Sequence, residues 1–562
     1  MAPQHCTAAV SLHCTTEPLR GCSTPRTYTN AERHRSAHSY PCRVRRWRSV
    51  LGLAVFFFFA VPCFSFQAAE FVTRSRDTLK LRDRPFYFVG ANAYYLLEQT
   101  ARGDSHTVRD LFRTASRLGM TVIRTWGFND SADSLNPAVI QYRPGAFNER
   151  ALQALDYVLL QARLHGMRLL IPLVNNWDEY GGMNQYVRWR IAAGTAGAPS
   201  SSRYSSSDLQ RTVEGGAGRS YRYALSTQFG HDDFYTDPII KGWFTSYIAT
   251  LLLRVNVYTG VAYNADPFVF GWELANEPRS SDRSGETVRR WVEEMSAYIK
   301  SLDPNHLVGT GEEGFDVSPA GYSTSSYNNQ HWLFNGTAGV AFKAHCVMPS
   351  IDFGSCHLYP EAWNLSKNAG GVWIRDHAAL ARAVGKPMIL GEFGVREHQA
   401  ASYESWLTTA LYDGAAGALV WQLLEGTRTD RQGYGFRCSD DALVCRRLRE
   451  AAEQFAQKSL SGSLPLPSTA HLQNIYPHPF NDVATISYAL PFEAFVHLAV
   501  FDALGRHVTT LVAARQAAGE RKELFDATRT ASGVYFARLI IGNAPAAAEK
   551  LYRETRRIMV IR

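Results

Sequence analysis

Short apolar runs that end in a polar or aromatic residue recur along most of this chain, and they limit its possible folds more than any other feature. Eight runs can be counted, at residues 86–92, 121–126, 168–174, 268–274, 306–312, 351–359, 388–393 and 417–423. Most of the segments between them carry apolar residues at helical spacing and end at glycine or before proline, as helices do. Strands that alternate with helices predict an α/β fold with a parallel sheet, and eight such units predict a closed (β/α)8 TIM barrel.

The residues at the carboxyl ends of these runs predict an active face. In a (β/α)8 barrel the carboxyl ends of all the strands lie on one side, and the active site forms there. The ends of these runs carry a guanidinium, amides, an imidazole, a phenol and indoles. The candidate binding residues are Arg124, Trp126, Asn175, Asn176, Asn276, His357, Tyr359 and Trp421.

Two glutamates at this face, Glu277 and Glu392, indicate the chemistry. Each follows an apolar run, where a carboxylate is costly to bury unless it is paired or used. A single glutamate at a strand end is usually a solvated loop residue. Two carboxyl groups, here on strands far apart in sequence, are the minimum set of catalytic groups for cleaving a glycosidic bond. Because this reaction uses only protein groups, and because no metal-ligand spacing such as C-x-x-C occurs, we expect no cofactor and no metal.

The positive charge of the chain is concentrated at its amino terminus. Residues 1–50 hold eight arginines, two glutamates and no lysine or aspartate, so they contribute +6 of the net charge of +8. The rest of the chain is close to neutral, which argues against nucleic acid as a partner.

An export signal is predicted within residues 1–69. The basic cluster at 43–48 runs into the apolar segment 51–61, and a basic region before a short apolar run is typical of a signal peptide. Small residues allow cleavage after Ser65 or Ala69. An uncleaved signal anchor is the alternative. Either form predicts a secreted or cell-surface protein.

Four of the nine cysteines lie beyond this extension. An even number in an exported protein suggests two disulfides. Proximity in sequence favours Cys346 with Cys356 and Cys438 with Cys445, although four cysteines allow three connectivities.

The composition changes again after the barrel. Residues 459–469 form a linker rich in Ser, Leu and Pro, and residues 470–562 contain short strand-like runs separated by turn residues. This pattern predicts a small β-sandwich after a catalytic domain at 70–458. Residues 190–235 form one oversized connection, which we expect to shape the cleft, with a disordered excursion as the alternative.

Three motifs resemble glycoside hydrolase family 5, and more closely its endo-β-1,4-mannanases, over roughly residues 70–458. WELANEP at 272–278 resembles the acid/base motif of the family, and GEFG at 391–394 resembles its nucleophile motif. VNNWDEYGG at 174–182 carries the signal of the mannanase branch, supported by 234–238 and 254–261. The His that many family members carry after the third strand is absent, which the mannanase branch tolerates.

The resemblance implies roles for the site residues. Glu392 is the expected nucleophile and Glu277 the expected acid/base. Arg124 and Tyr359 are expected to orient Glu392 and keep it ionised, and Asn276 to bind the 2-hydroxyl of the sugar. His357, Asn175 and Asn176 are further active-site positions, and Trp126 and Trp421 are expected to stack on sugar rings, although core packing is an even alternative for each indole.

The carboxyl-terminal segment resembles the sorting domain of type IX secretion cargo. The similar stretches are 475–481, 500–506, 531–536 and 556–562. A carbohydrate-binding sandwich is the alternative, but few tryptophans occur in this segment. The resemblance implies the export machinery as a partner.

Taken together, these patterns predict a retaining endo-hydrolase of β-1,4-mannosidic bonds. The expected substrate is β-mannan polysaccharide as mannan, glucomannan or galactomannan, and a monomer is expected. A β-1,4-glucanase of the same family is the main alternative, transglycosylation stays open, and a non-catalytic carbohydrate-binding barrel is the other alternative.

Overall fold

The computed structural model describes residues 70–195, 229–328, 330–461, 469–542 and 550–562. The predicted export signal lies outside the described residues. Most of the long connection at 190–235 and the centre of the predicted linker lie outside them too.

The predicted barrel is confirmed by eight parallel strands: β1 (Phe88–Asn92), β2 (Val122–Arg124), β3 (Arg168–Pro172), β4 (Val269–Glu273), β5 (Leu307–Gly309), β6 (Gly354–Leu358), β7 (Met388–Phe393) and β8 (Ala415–Val420). They pair in the order β5-β4-β3-β2-β1-β8-β7-β6. Apart from β5 and β6, which are the two ends of this order, each strand pairs with its neighbours in the chain, and β1 pairs with β8, so the first and last strands are joined. Every strand overlaps one of the eight predicted runs.

Helices occupy the connections, as the alternating pattern predicts. They are α1 (Leu96–Ala101), α2 (Ser105–Arg117), α3 (Glu149–Leu164), α4 (Gly182–Thr195), α5 (Asp233–Thr236), α6 (Pro238–Leu252), α7 (Glu286–Leu302), α8 (Phe342–Cys346), α9 (Ala369–Ala383), α10 (Gln399–Asp413) and α11 (Ala442–Ser461), with 3-10 turns at Tyr263–Ala265, Thr324–Ser326 and His331–Phe334. Side-chain caps start several of them: Asp237 accepts from two backbone N–H groups of α6, which has proline at its first position. Among the described residues, no helix is both long and apolar enough to cross a membrane.

Apolar side chains fill the interior of the barrel at the amino-terminal ends of the strands. This cluster includes Phe88, Val122, Phe270, Leu307, Phe353, Ile389 and Ala416. A three-stranded antiparallel sheet, formed by Val72–Ser75, Thr78–Leu81 and Arg84–Pro85, adds Val72 and Leu79 to the same cluster. Because this end is packed with side chains, the cleft is left to the opposite end of the barrel. A short ribbon of Gln141–Arg143 and Ala146–Phe147 lies in the connection after β2.

The carboxyl-terminal segment folds as the predicted β-sandwich. Its strands are β9 (His471–Tyr476), β10 (Val483–Leu490), β11 (Ala494–Asp502), β12 (His507–Gln516), β13 (Gly519–Asp526), β14 (Gly533–Gly542) and β15 (Lys550–Val560). One antiparallel sheet has the order β9-β10-β13, and the other has the order β12-β11-β14-β15. Apolar side chains between the two sheets, such as Ile486, Leu498 and Leu539, form a core separate from that of the barrel.

The sandwich is attached to the barrel through the edge strand β13. Ser405 of α10 donates a hydrogen bond to the backbone carbonyl of Lys522 at 2.6 Å, and the Lys522 ammonium contacts Glu404 at 2.7 Å. An uncovered edge strand is prone to pair with other chains, so α10 protects this edge.

Buried charges join the two parts of the molecule. Arg375 of α9 contacts Glu523 at 3.2 Å, and Gln516 also donates to Glu523 at 3.0 Å. Arg521 contacts Asp413 of the barrel at 2.8 Å. The side chains of Arg375, Arg521 and Glu523 are all buried. Each charge is compensated across the interface, so separating the sandwich from the barrel would leave buried charges without partners.

One of the two predicted disulfides forms. The Cys438–Cys445 bond is confirmed, with 5.6 Å between the two Cα atoms. The predicted Cys346–Cys356 bond is wrong, because both residues are buried free thiols. The Cys346 sulfur packs at Gly354, 3.0 Å from where a Cβ atom would stand there. Cys356 lies two residues beyond Gly354 in β6, about 6.6 Å from Gly354 at the usual rise of a strand.

The interface ion pair yields a stability prediction. Glu523→Ala leaves the buried Arg375 guanidinium with only the more distant Asp413, at 3.9 Å, and loss of one partner of a buried pair typically costs about 3 kcal/mol. We expect a loss of that size in the free energy of unfolding, measured by denaturant titration of the full chain. Glu523→Gln, which keeps a hydrogen-bond acceptor, should lose less.

Glu453→Ala is the matched control. Glu453 forms an exposed pair with Arg449 at 4.0 Å within α11, and its loss should change stability by less than about 0.5 kcal/mol. Equal effects of Glu523→Ala and Glu453→Ala would show that the interface charges do not stabilise the fold.

Candidate active site

A single buried arginine organises the carboxyl ends of the strands. Arg124, the last residue of β2, has no exposed surface. Its guanidinium donates to Glu273 at 2.7 Å, to Glu392 at 2.5 Å and to the side-chain oxygens of Asn92 and Asn276 at 3.1 and 2.9 Å. One planar donor group therefore fixes the side chains at the ends of β1, β4 and β7 relative to one another.

Glu392 lies within β7, and both of its carboxylate oxygens are held. Oε1 accepts from Arg124, and Oε2 accepts from the Tyr359 hydroxyl at 2.5 Å. Tyr359 directly follows β6 in the chain, so the phenol reaches across to the neighbouring strand. Because each oxygen has a directed donor, the carboxylate has a defined orientation in the cleft.

Glu277 lies beyond its strand rather than at its last residue. β4 ends at Glu273, and the chain then turns so that Glu277 adopts a φ of 53°. This backbone conformation is uncommon for a residue other than glycine. The backbone N–H of Glu277 donates to Gly311 at 2.8 Å, which holds the turn in place. Such conformations concentrate at functional sites, where the surrounding structure maintains them.

Two ring nitrogens hold the Glu277 carboxyl. The Trp177 indole donates to Oε2 at 2.6 Å, and Nδ1 of His357 lies 2.7 Å from Oε1. The same His357 nitrogen lies 3.7 Å from Glu392 Oε2. The imidazole is therefore placed between the two carboxyl groups.

The two glutamates differ in the charge of their partners. Burial raises the pKa of Glu277, and the nearby Arg279 guanidinium and the Trp177 hydrogen bond oppose that rise. Burial also raises the pKa of Glu392, and His357 and Arg124 oppose it there. Only Glu392 receives a hydrogen bond directly from a cation, which favours its charged form. Burial lowers the pKa of His357, which favours the neutral imidazole.

Asparagine side chains connect the third and fourth strands. Asn276 donates to the side-chain oxygen of Asn175 at 3.0 Å, and the Asn175 amide donates to the backbone carbonyl of Glu179, also at 3.0 Å. Asn176 accepts from the backbone N–H of Arg279 at 3.1 Å. Asn175 and Asn176 therefore position Asn276 and the turn that carries Glu277.

The aromatic residues form two layers. Trp421 stacks parallel to Tyr94 with ring centroids 5.3 Å apart and an interplanar angle of 7°. Trp126 packs behind Tyr94 at 4.6 Å and against Phe128 at 4.9 Å. Trp421 keeps 9% of its surface exposed, whereas Trp126 keeps 5%. Both indoles are therefore almost fully buried against other aromatic rings, and stacking of a sugar on Trp421 or Trp126 stays a prediction.

The two carboxyl groups face each other closely. Oxygens of Glu277 and Glu392 and a ring nitrogen of His357 all lie within 4.8 Å of one another. Carboxyl groups about 5–5.5 Å apart are typical of retaining glycosidases, and wider separations are typical of inverting ones. Within the described part of the chain, these three residues are also the one group spaced to hold a metal ion. The Arg124 guanidinium lies 2.5 Å from Glu392 at this point, so a positive charge already faces that carboxylate.

Comparison with known families agrees with this geometry. A family model described as GH family 5 beta-mannosidase-like matches residues 69–436. The chain belongs to glycoside hydrolase family 5. A second model, described as a secretion system C-terminal sorting domain, matches residues 474–552.

Individual relatives of this family 5 chain cover most of its barrel. It is 36% identical over 410 residues to a protein named mannan endo-1,4-beta-mannosidase 2 from Oryza sativa subsp. japonica, covering 69% of this chain and 84% of the relative. It is similar to the X-ray structure of an endo-beta-1,4-mannanase from Thermotoga petrophila, with 29% identity and a TM-score of 0.58 over 85% of this chain and 98% of that one. An endo-1,4-beta-mannanase from Rhizomucor miehei is 33% identical, with a TM-score of 0.56 over 69% and 100% of the two chains.

Several residues of this family 5 site were missed by the sequence predictions. Trp177 holds Glu277, and Glu273 holds Arg124, yet neither was a candidate. Arg279 forms a two-point pair with Glu313, with both distances 2.7 Å, next to Glu277, and burial raises the pKa of Glu313 to about 7. Glu273 and Arg279 flank Glu277 in the chain, so proximity to the motif was an available signal. Glu313 follows β5 without any motif to mark it.

Proposed function

We propose that this chain is a retaining endo-β-1,4-mannanase in which Glu392 is the nucleophile and Glu277 the acid/base. The observation that carries the proposal is the pair of buried carboxyl groups with oxygens within 4.8 Å of each other at the open end of a family 5 barrel. Relatives named as mannan endo-1,4-beta-mannosidases support the substrate and the internal mode of cleavage.

In the first step, an oxygen of Glu392 attacks the anomeric carbon of the sugar. The bond from that carbon to the glycosidic oxygen breaks, and Glu277 donates its proton to the departing oxygen. Burial keeps Glu277 protonated to higher pH, which suits this role. The product of this step is a glycosyl ester on Glu392 and a shortened polysaccharide with a free hydroxyl group.

In the second step, Glu277 acts as a base. It accepts a proton from water while the water oxygen attacks the anomeric carbon, and the ester bond to Glu392 breaks. The released sugar has the configuration of the original bond, because the carbon has been inverted twice. The enzyme returns to its starting protonation state, with Glu277 protonated and Glu392 ionised.

The remaining site residues orient these groups. Arg124 and Tyr359 fix the two oxygens of Glu392, so the attacking oxygen is aimed before substrate arrives. Asn276 binds the 2-hydroxyl in this proposal, the group whose orientation distinguishes mannose from glucose, and its contacts with Arg124 and Asn175 support that role by fixing its side chain. Trp421 offers an indole face to a sugar ring.

Export is supported by the carboxyl-terminal match. Residues 474–552 match a secretion sorting domain, so the protein is exported and the export machinery is a partner. We further propose that residues 1–69 carry the amino-terminal signal, that residues 70–458 and 470–562 are separate domains joined by a linker at 459–469, and that the secreted or cell-surface enzyme is a monomer that binds no nucleic acid.

The assignment of the glutamates is tested by substitution. Glu392→Ala and Glu277→Ala should each lower kcat on soluble mannan by about 10²–10⁴-fold or more without unfolding the protein, because each removes one half of the mechanism. Glu397→Ala, which alters an exposed glutamate in the loop that follows β7, is the control and should keep full activity.

Azide distinguishes the two roles. With an activated aryl mannoside, azide should rescue Glu392→Ala by direct attack and give the α-mannosyl azide. With Glu277→Ala it should instead intercept the glycosyl ester and give the β-mannosyl azide. Exchanged products would reverse the assignment, and more than about a tenth of wild-type turnover in either variant would remove that residue from the mechanism.

A pH profile tests the Trp177 contact. The indole N–H stabilises the charged form of Glu277, so Trp177→Phe should raise the pKa of Glu277 further. The protonated acid then persists to higher pH, and the alkaline limb of kcat/KM should shift upward in pH. Trp189→Phe is the control, because its indole nitrogen has no partner among the described residues. A limb that stays in place or moves downward would contradict the contact.

The cleavage pattern tests the substrate. Reducing-sugar release should be greatest on mannan and glucomannan when these are compared with carboxymethylcellulose and xylan. Chromatography of early products should show oligosaccharides of mixed length, because the chain is cut internally. Release of mannose alone would indicate an exo-enzyme, and preference for carboxymethylcellulose would indicate the glucanase alternative.

A further inference from the structure

The segment that follows the Glu277 turn is held by a distant part of the chain. Glu277 has a φ of 53° and precedes Pro278, and residues 279–281 lie outside the helices and strands. These residues contact residues 231–235, which belong to the described carboxyl-terminal part of the long connection between β3 and β4. We call residues 231–235 the anchor segment.

Tyr235 of the anchor segment holds the backbone of Arg279. Its hydroxyl donates to the Arg279 carbonyl at 2.9 Å, and that carbonyl has no other hydrogen-bond partner among the described residues. Tyr235 is 3% exposed, and its ring packs against Trp291 of α7 with 5.3 Å between the ring centroids. Because packing fixes the ring, the hydroxyl has a defined direction. Loss of the hydroxyl would leave the carbonyl without this bond.

Asp232 of the same segment holds Ser281. One of its carboxylate oxygens accepts from the backbone N–H and the hydroxyl of Ser281 at 2.8 and 2.5 Å, and the other lies 3.0 Å from Nδ1 of His231. Burial would raise the pKa of Asp232, but the hydrogen bonds from His231 and Ser281 lower it below its usual value. An ionised carboxylate therefore accepts these bonds, and such bonds are stronger than those between neutral groups.

The side chain of Arg279 connects this anchored backbone to Glu277. Its guanidinium pairs with Glu313 and lies over the ring of Trp177, 5.1 Å from the ring centroid, and Trp177 donates to Glu277. Burial raises the pKa of Glu277, and the Arg279 charge is the strongest of the groups that oppose this rise. The place of this one guanidinium therefore affects both a hydrogen-bond donor to Glu277 and the affinity of Glu277 for its proton.

We propose that Tyr235 and Asp232 are positioning residues for the acid/base, because they fix the backbone at 279–281 and so keep the Arg279 guanidinium beside Glu277. The inference rests on the proposed function, in which Glu277 is the acid/base. In the described chain neither residue has a contact with Glu277, so each acts through the segment that it anchors. The long connection between β3 and β4 thereby takes part in setting the acidity of the catalytic group.

Other charged groups also face Glu277, and the Tyr235 and Asp232 variants leave them unaltered. Arg124 at the end of β2 favours the ionised carboxylate, as Arg279 does. The remaining titratable groups around Glu277 are Glu179 after β3, Glu313 after β5, His357 on β6 and Glu392 on β7.

The pH dependence of kcat/KM on soluble mannan tests this role in the full chain. Tyr235→Phe removes only the hydroxyl, and Asp232→Ala removes the contact with Ser281. A less closely held Arg279 opposes the raised pKa of Glu277 less, so the protonated acid persists to higher pH. The alkaline limb should move upward by about 0.5 pH unit in each variant. Arg279→Gln removes the charge itself and should move the limb upward by about 1 pH unit or more.

A double variant separates positioning from a general loss of structure. When Arg279→Gln is already present, Tyr235→Phe should cause no further shift, because its effect passes through Arg279. Tyr263→Phe is the matched control. Tyr263 is also buried and donates to Asp156 at 2.8 Å, but it precedes β4 and so lies at the end of that strand opposite to Glu277. Its loss should lower the melting temperature about as much as Tyr235→Phe and leave the limb in place.

The outcomes separate this inference from the proposed function. An alkaline limb that stays in place or moves downward in both single variants of the anchor segment would overturn the inference, as would equal shifts with and without Arg279. An equal shift in Tyr263→Phe would also overturn it, because the response would follow lost stability alone. If the unaltered chain releases no sugar from any mannan, the proposed function is refuted and the inference falls with it. An active unaltered chain with unshifted variants refutes the inference alone.

Discussion

The Arg124 guanidinium between the carboxylates of Glu273 and Glu392 is the interaction on which the catalytic face depends. Three carboxyl groups, those of Glu273, Glu277 and Glu392, converge at the open end of the barrel, and negative charges this close would repel one another without a cation among them. Arg124 is fully buried, so its charge is not screened by water. Because its donors are directed to three strands, the same group also sets the distances between them.

This arrangement explains why the remaining contacts can be made by neutral groups. Tyr359, Trp177 and His357 each contact one of the glutamates, and none needs to carry a charge to do so. A neutral donor can keep its hydrogen bond to a glutamate whether that glutamate is protonated or ionised. A mechanism that moves one proton on and off Glu277 needs that tolerance.

The sequence was sufficient to predict the architecture and the residues at the strand ends. The eight apolar runs carry a strong periodic signal. In a parallel barrel the carboxyl ends of all the strands lie on the same side of the barrel, so the last residue of each run is expected there. Glu392, Arg124 and Tyr359 follow from that rule directly. Glu277 was predicted from the apolar run before it as well as from its motif, but its position four residues beyond β4 depends on a turn that periodicity does not reveal.

Contacts between segments that are distant in the chain could not be predicted from the sequence. Glu313 meets Arg279 only because two loops fold towards each other, and neither loop carries a periodic pattern. The failed Cys346–Cys356 pairing has the same origin: short separation in the chain does not fix where a strand passes a helix. The ion pairs of Arg375 and Arg521 with their partners join positions more than a hundred residues apart, and each is an ordinary surface-type residue in the sequence.

The docking of β13 on α10 has a consequence for the order of events during maturation. The edge of the sorting module is covered, and its buried Glu523 and Arg521 are neutralised, only when α9 and α10 have packed around β6 and β7. A chain with an unfinished barrel would present the same module with an uncovered strand edge and unpaired charges. The interface thus makes the covered form of the sorting module depend on the complete folding of the barrel to which it is attached.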